Sequence, residues 1–182
     1  TYALFSQNSD TNNEDAENVS VGYGAGYYNL TGQYNTYIGV QSGWGVSGQS
    51  HSNNTAIGYQ SMYPVTTGNS NTAIGEGTLG NVNVGVSNTA LGRAAGATIS
   101  NASYPILIGQ DAGGAINSTG ANGTVVVGTF AGLALTSAAA TIAIGYSAAK
   151  VHTTGGRNIA IGYGAMIDTD AGSDSLDSSD NI

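Results

Sequence analysis

Apolar residues recur along this chain in short bursts, each closed by a glycine and separated by long polar returns. The stretch NTAIGEGTLG at 71–80 repeats its opening as NTAIG at 54–58 and NTALG at 88–92. Taking the glycine after each aliphatic residue as an anchor gives Gly22, Gly39, Gly58, Gly75, Gly92, Gly109, Gly128, Gly145 and Gly162. Their spacings are 17, 19, 17, 17, 17, 19, 17 and 17 residues. A fixed period of this length marks units that stack on their neighbours.

Aligned on the anchors, the chain falls into columns. The residue before each anchor is Val21, Ile38, Ile57, Ile74, Leu91, Ile108, Val127, Ile144 or Ile161, always aliphatic and mostly β-branched. Such residues favour an extended, pleated strand. The anchor glycine suits a bend or a close backbone approach. Three residues after each anchor stands a small residue: Ala25, Ser42, Ser61, Thr78, Ala95, Ala112, Ala131, Ala148 and Ala165. That column predicts a tight place. Four residues before the anchor, six of nine coils carry Asn: Asn18, Asn35, Asn54, Asn71, Asn88 and Asn158. Asn tolerates unusual dihedrals and bonds nearby backbone, so it suits the corner entering the strand.

Each coil therefore has one short strand ending in glycine, a second segment around the small residue, and a polar return. No stretch keeps the 3.6-residue period of a helix. One coil cannot bury its own apolar residues, but nine stacked in register at ~4.8 Å make a rod body of roughly 40 Å. The expected fold is an all-β repeat solenoid, a parallel β-roll of nine coils. Stacking also predicts that Glu76 and Arg93, each following an anchor, meet as an opposite-charge pair.

Alternation puts the residues one and three before the anchor on one strand face and the residue two before it on the other. The first set is expected to form the repeat core together with the anchors. The column two before is Ser20, Tyr37, Ala56, Ala73, Ala90, Leu107, Val126, Ala143 and Ala160, which is also largely apolar. Either the alanines tolerate water, or this second face is covered by other chains around a closed axis. The pattern predicts the latter.

The segments NTAIGYQSM, NTAIGEGTLG, ATIAIGYSAAK and RNIAIGYGAM resemble the head repeats of trimeric autotransporter adhesins of the YadA type. They resemble still more the NTAIGYQAL arrays of phage tail fibres and other virion appendages. The resemblance covers residues 18–167, through nine copies of the core IG-x-x-[AST] in which Val or Leu can replace Ile. It implies a homotrimer of narrow, left-handed β-rolls parallel to a fibre axis. The chain departs from the adhesin heads in its period, theirs being nearer 14 residues, and in lacking their stalk, membrane anchor and C-terminal chaperone domain.

Charge refines this organisation. The net charge is −8, yet residues 10–17 supply −4, the tail from Asp168 onward −5, and the body between them +1. The chain divides into an acidic segment or cap at 1–17, the repeat domain at 18–167, and an acidic tail or connector at 168–182. Three scattered Lys and Arg cannot meet a phosphate backbone, which excludes nucleic acid as a partner. No stretch reaches the ~20 apolar residues of a membrane-spanning helix. Cysteine is absent, so there is no thiol chemistry. The Asp/Ser/Gly run of the tail offers oxygen ligands for Ca²⁺ without EF-hand spacing, and equally reads as a solvated connector. No metal site and no cofactor is expected.

Catalysis is not expected either. His51 and His152, the two imidazoles, sit in polar loop stretches and read as solvent-exposed. The carboxylates of the body, Glu76 and Asp111, fall in different columns two coils apart, unlike the facing pair of a glycosidase. A single IG-x-x-x-x hexad per coil does not match the three-hexad coils of β-helix acyltransferases. Binding fits better. The two 19-residue coils carry long loops at 42–54 and 113–123, and solenoid insertions map to surface loops. Candidate receptor contacts are Trp44, His51, Tyr27, Tyr28, Tyr34, Asn117 and Asn122. The aromatics could stack on sugar rings of a host-surface glycan, or cap the solenoid, or fill a trimer seam. A Thr ladder at Thr36, Thr55, Thr72 and Thr89 suggests an ice-binding face, but it drifts to Ile106, Val125, Ile142 and Ile159, which suits a buried column. The expectation is a non-enzymatic fibre protein: a tail-fibre or appendage subunit for host attachment, a bacterial adhesin head, or a structural spacer. Its partners would be itself as a homotrimer and other fibre proteins at the ends.

Overall fold

The computed structural model describes residues 17–167 except Val82 and Ala138. The acidic segment preceding Glu17 and the acidic tail at 168–182, with its Ca²⁺ reading, lie outside the described residues. The described chain is a β-solenoid with one three-residue strand per coil. The strands are β1 (Val19–Val21), β2 (Thr36–Ile38), β3 (Thr55–Ile57), β4 (Thr72–Ile74), β5 (Thr89–Leu91), β6 (Ile106–Ile108), β7 (Val125–Val127), β8 (Ile142–Ile144) and β9 (Ile159–Ile161). They form one parallel sheet in sequence order. Its register follows the anchors: Thr55 pairs with Thr72, Ala56 with Ala73 and Ile57 with Ile74. A short 3-10 turn at Thr119–Ala121 lies within one of the two long loops.

Every anchor has φ between 127° and 136°, a conformation open to glycine. The anchors also touch. A Cβ on Gly92 would stand 2.7 Å from the carbonyl of Gly109 in the next coil, and one on Gly58 would stand 2.6 Å from the Gly75 oxygen. Conformation and contact both demand glycine here. Beyond the strand, the positions two and four after the anchor are left-handed in every coil and turn the chain onto a second side. There a second ladder joins the coils, from Gly26 N–H to Ser42 O at 2.9 Å, Leu79 N–H to Ala95 O at 2.9 Å and Gly113 N–H to Ala131 O at 3.0 Å. The small column between these turns is tight, as its composition predicts. Where it carries a hydroxyl, that group donates to the next coil: Ser42 Oγ to Ala56 O at 2.7 Å and Thr78 Oγ1 to Gly92 O at 2.6 Å.

The core lies on the opposite strand face from the one the sequence suggests. Tyr37, Ala56, Ala73, Ala90, Leu107, Val126 and Ala143 are fully buried within the single chain. Ile38, Ile57, Ile74, Leu91, Ile108, Val127, Ile144 and Ile161 point out, exposed or half-buried. The anchors and the alternation hold, but the sense of in and out is reversed. The reason is volume. A coil this thin has room at its strand centre for alanine, or for one larger side chain where glycine makes way. Leu107 packs where a Cβ on Gly96 or Gly113 would lie 2.7 Å from it, and Val126 stands close to Gly132, where a Cβ would lie 3.2 Å from it. Conversely, Met62 and Leu79 occupy the column four after the anchor where the strand centres are alanine. The column three before the anchor also faces outward: Thr36, Thr55, Thr72 and Thr89, then Ile106, Val125, Ile142 and Ile159, are exposed or half-buried. The expectation that it is buried fails for the same reason.

The Asn column is an internal amide ladder. Asn35 Oδ1 accepts from Asn54 N–H, Asn54 Oδ1 from Asn71 N–H, and Asn71 Oδ1 from Asn88 N–H, each at 2.9 Å. Asn54 and Asn71 also donate Nδ2 to Gly68 O at 3.0 Å and Gly85 O at 3.1 Å. The side chains thus wire successive coils together rather than bonding their own corner. At Asn88 the ladder stops. The same column in the next coil is Pro105, which has no N–H, and both amide atoms of the buried Asn88 are unpartnered.

Candidate functional site

The turn that leads off the strand brings the residue five after each anchor onto the second side. In the first three coils that residue is aromatic: Tyr27, Trp44 and Tyr63. Backbone bonds hold these coils in step, Gly45 N–H to Tyr27 O at 2.7 Å and Val65 N–H to Trp44 O at 3.0 Å. The rings then meet at about the coil spacing. Tyr27 and Trp44 stack with centroids 4.4 Å apart at 13°, and Tyr63 lies 6.0 Å from Trp44, tilted by 55°. Tyr28 stands edge-on, 4.3 Å from Tyr27 and 5.9 Å from Trp44. Gly24 makes room for Trp44, since a Cβ there would be 2.6 Å from Cζ3 of the indole. All four rings are half-buried.

Of the predicted contacts, Tyr27, Tyr28 and Trp44 come together, beside the exposed residues 46–48 of the first long loop. Tyr63 belongs with them and is not among the predicted contacts. Counting five residues from its anchor, Gly58, puts it in the Trp44 column. Tyr34 does not join them. It lies five residues before its anchor, in the column of Tyr104, and is exposed. Asn117 is exposed in the second long loop, while Asn122 is half-buried with its Oδ1 accepting from Ser103 N–H at 2.8 Å. Asn122 therefore braces the loop.

Both histidines correct the sequence reading. His51 and His152 are buried, facing the interior seven residues before and seven residues after an anchor. His51 Nδ1 lies 2.7 Å from the Tyr37 hydroxyl, while its Nε2 has no partner. Burial lowers the His51 pKa to about 4, so the ring is neutral at physiological pH. The same burial pushes the Tyr37 phenol far above its ordinary range, with the Asn54 side chain opposing it. His152 Nε2 lies 2.7 Å from Asn158 Nδ2. These rings pack the coil and cannot reach a ligand.

The expected Glu76–Arg93 pair does not form. Arg93 Nη2 instead lies 3.3 Å from Asp111 Oδ2 in the next coil. Arg93 is long enough to cross to the following column, where the Gln110 amide also meets Asp111 at 3.0 Å. Among the described residues, no three His, Asp or Glu side chains gather as a metal site. A second aromatic group at the far end places Tyr146 on Tyr163 with centroids 5.3 Å apart, and Lys150 Nζ 5.3 Å over Phe130. From Asn18 to Gly75 the sequence carries no Asp, Glu, Lys or Arg, so the coils that bear Tyr27, Trp44 and Tyr63 are themselves uncharged.

The outward sheet face is the other notable surface. Two columns, one and three before the anchor, run its length without a charged residue. Exposure reaches 46% at Leu91, 41% at Ile106 and 64% at Ile161. No helix among the described residues is long and apolar enough to cross a membrane. Compared with protein-family models, curated proteins and solved structures, the chain gives no match.

Proposed function

We propose that this chain is a non-enzymatic segment of an extracellular or virion fibre, assembled from parallel copies of itself through the outward face of the sheet. The observation that carries the reading is that face, with aliphatic side chains exposed or half-buried on nine successive strands. Contiguous apolar surface on this scale calls for a partner. A second copy is the best match. The face changes along the rod from Thr beside Ile to aliphatic beside aliphatic. Parallel, in-register copies would set Thr rows against Thr rows and Ile rows against Ile rows. A uniform surface such as ice offers no such match to a ladder whose hydroxyls end at Thr89.

A closed ring of copies leaves no open face, and the resemblance to tail-fibre and adhesin-head repeats puts the number at three, with left-handed coils. We place the chain in a phage tail fibre or appendage that engages the host surface, with a bacterial adhesin head as the alternative. The aromatic group on the second side favours attachment over a purely structural spacer, because it remains outside such a ring. The test is the solution mass by light scattering. A species near three times 18.1 kDa is expected. A stable species of 18.1 kDa, unchanged with concentration, would sink the reading.

A further inference from the structure

We propose that the aromatic column Tyr27–Trp44–Tyr63, with Tyr28, binds an uncharged glycan along the rod. This deepens the attachment reading and rests on it. The first observation is that the fold does not need these rings. Coils four to six pass the same point with Gly80, Ala97 and Gly114, and stack through the ladder one residue earlier, Leu79 N–H to Ala95 O and Gly96 N–H to Ala112 O, each at 2.9 Å. A column that does without side chains in the middle of the rod carries three large aromatics at one end of it. Half-buried Tyr and Trp of this kind are the residues that dominate binding faces, because they give large, rigid contact area at low entropic cost.

The second observation is shape. Beyond Tyr63 the column drops to Gly80, Ala97 and Gly114, then rises again at Leu133, whose Cδ1 would lie 3.1 Å from a Cβ on Gly114. The result is a shallow trough between Tyr63 and Leu133. It is four coil steps long, roughly 19 Å at the spacing of paired strands. An extended oligosaccharide fits such a trough end-on to the Tyr63 ring.

The third observation is charge. The coils of the aromatic rings carry no ionic side chain from Asn18 to Gly75, and the first cation in the column is Lys150, five coils beyond Tyr63. The charged residues of the trough coils, Glu76, Arg93 and Asp111, stand three or four residues ahead of its floor, and Arg93 is paired with Asp111 at 3.3 Å. An anionic ligand would meet Glu76 and a cation that is already paired. Sugar rings present C–H faces to aromatic rings and hydroxyls to amides. Asn81, exposed in the column of Tyr28, supplies such an amide beside Tyr63.

Trp44 is the one tryptophan of the chain, so its emission reports on this site. The full chain is titrated with cellohexaose, maltohexaose and chitohexaose, with a sialic acid oligomer and phosphatidylcholine vesicles as comparison probes. A saturable change in Trp44 emission is expected with a neutral hexasaccharide. Tyr63→Ala and Tyr28→Ala should each weaken it about fivefold or more, and Ala97→Leu should block the trough. Mass and circular dichroism should stay unchanged in all three variants. The proposal is overturned if no neutral hexasaccharide gives a saturable response. It is equally overturned if only the anionic oligomer or the vesicles respond, or if binding survives the Tyr28→Ala/Tyr63→Ala double variant. A trimer without glycan binding would refute this site and leave the fibre standing. A monomer that binds would do the reverse.

Discussion

Replacing glycine by alanine at three places separates the two demands made on the anchors. Gly77 is left-handed at φ +61°, and an added Cβ meets nothing within 4 Å. Gly77→Ala should cost about 1–2 kcal/mol, the penalty of that region for an L-residue. Gly162 has the anchor conformation at φ +130° but no coil beyond it to strike. Gly162→Ala should cost about 2–3 kcal/mol from backbone strain. Gly92 adds collision, with its Cβ 2.7 Å from Gly109 C and O. The Gly109 backbone cannot retreat. Its N–H is bonded to Leu91 O at 2.8 Å, and Gly128 N–H to Ile108 O at 2.7 Å fixes the coil behind it. Overpacking adds about 1–3 kcal/mol, so Gly92→Ala should lose roughly 4 kcal/mol in all. For a chain of this length that is on the order of 10 °C in melting temperature. Thermal melts followed by circular dichroism, at one protein concentration because assembly shifts the midpoint, would rank the three. Gly92→Ala melting with the parent chain, or losing less than Gly162→Ala, would refute the stacked-anchor argument.

Three further outcomes follow from the same geometry. Ile144→Asp places a charge on the outward face and should reduce the assembly to 18.1 kDa while the coil stays folded, read by light scattering beside circular dichroism. Asn54→Ala strands the Asn71 N–H and the Gly68 carbonyl, and should cost about 2–4 kcal/mol in urea unfolding. Asn88→Ala removes amide atoms that have no partner and should cost less than half as much; equal losses would deny the ladder its role. His51 is neutral in the fold, with its pKa lowered to about 4 from 6.5, so the unfolded chain takes up the proton first as pH falls. Its contribution is intact above pH 6.5 and is lost progressively down to pH 4, by up to about 3 kcal/mol. His51→Gln should therefore melt with a smaller difference between pH 7 and pH 4 than the parent, and an identical difference would contradict this account.

The sequence makes the period, the strand position and the anchors plain, because glycine and β-branched residues are dictated locally by backbone geometry. Sidedness is a different matter. Ile57 and Ala56 are both apolar, and hydrophobicity alone assigns the larger residue to the core. What decides is the cross-section of the coil, which admits Ala56 and turns Ile57 outward. The compensating pairs Leu107 with Gly96, and Tyr37 with Gly43, record that limit, but only once columns are compared across the coil. The left-handed turns escape notice because their columns mix glycine with Gln41, Leu79 and Phe130. His51 and His152 look like loop residues from their neighbours, while their count from the anchors sends both inward. The aromatic site is legible as far as Trp44 and its tyrosines; placing Tyr63 with them requires the column count.

The end of the amide ladder at Asn88 gives the rod two kinds of joint. From Asn18 to Asn88 each coil is tied to the next at this corner by a side-chain amide as well as by backbone. From Pro105 onward the corner is held by backbone, Thr89 N–H to Pro105 O at 3.0 Å, Ile106 N–H to Thr124 O at 2.9 Å and Val125 N–H to Thr141 O at 2.9 Å. The change-over itself is bridged elsewhere, by Arg93 on Asp111 and by Val86 N–H to Ser103 Oγ at 3.2 Å. Peeled from this corner, the coils from Pro105 to Thr141 should part before the laddered ones do.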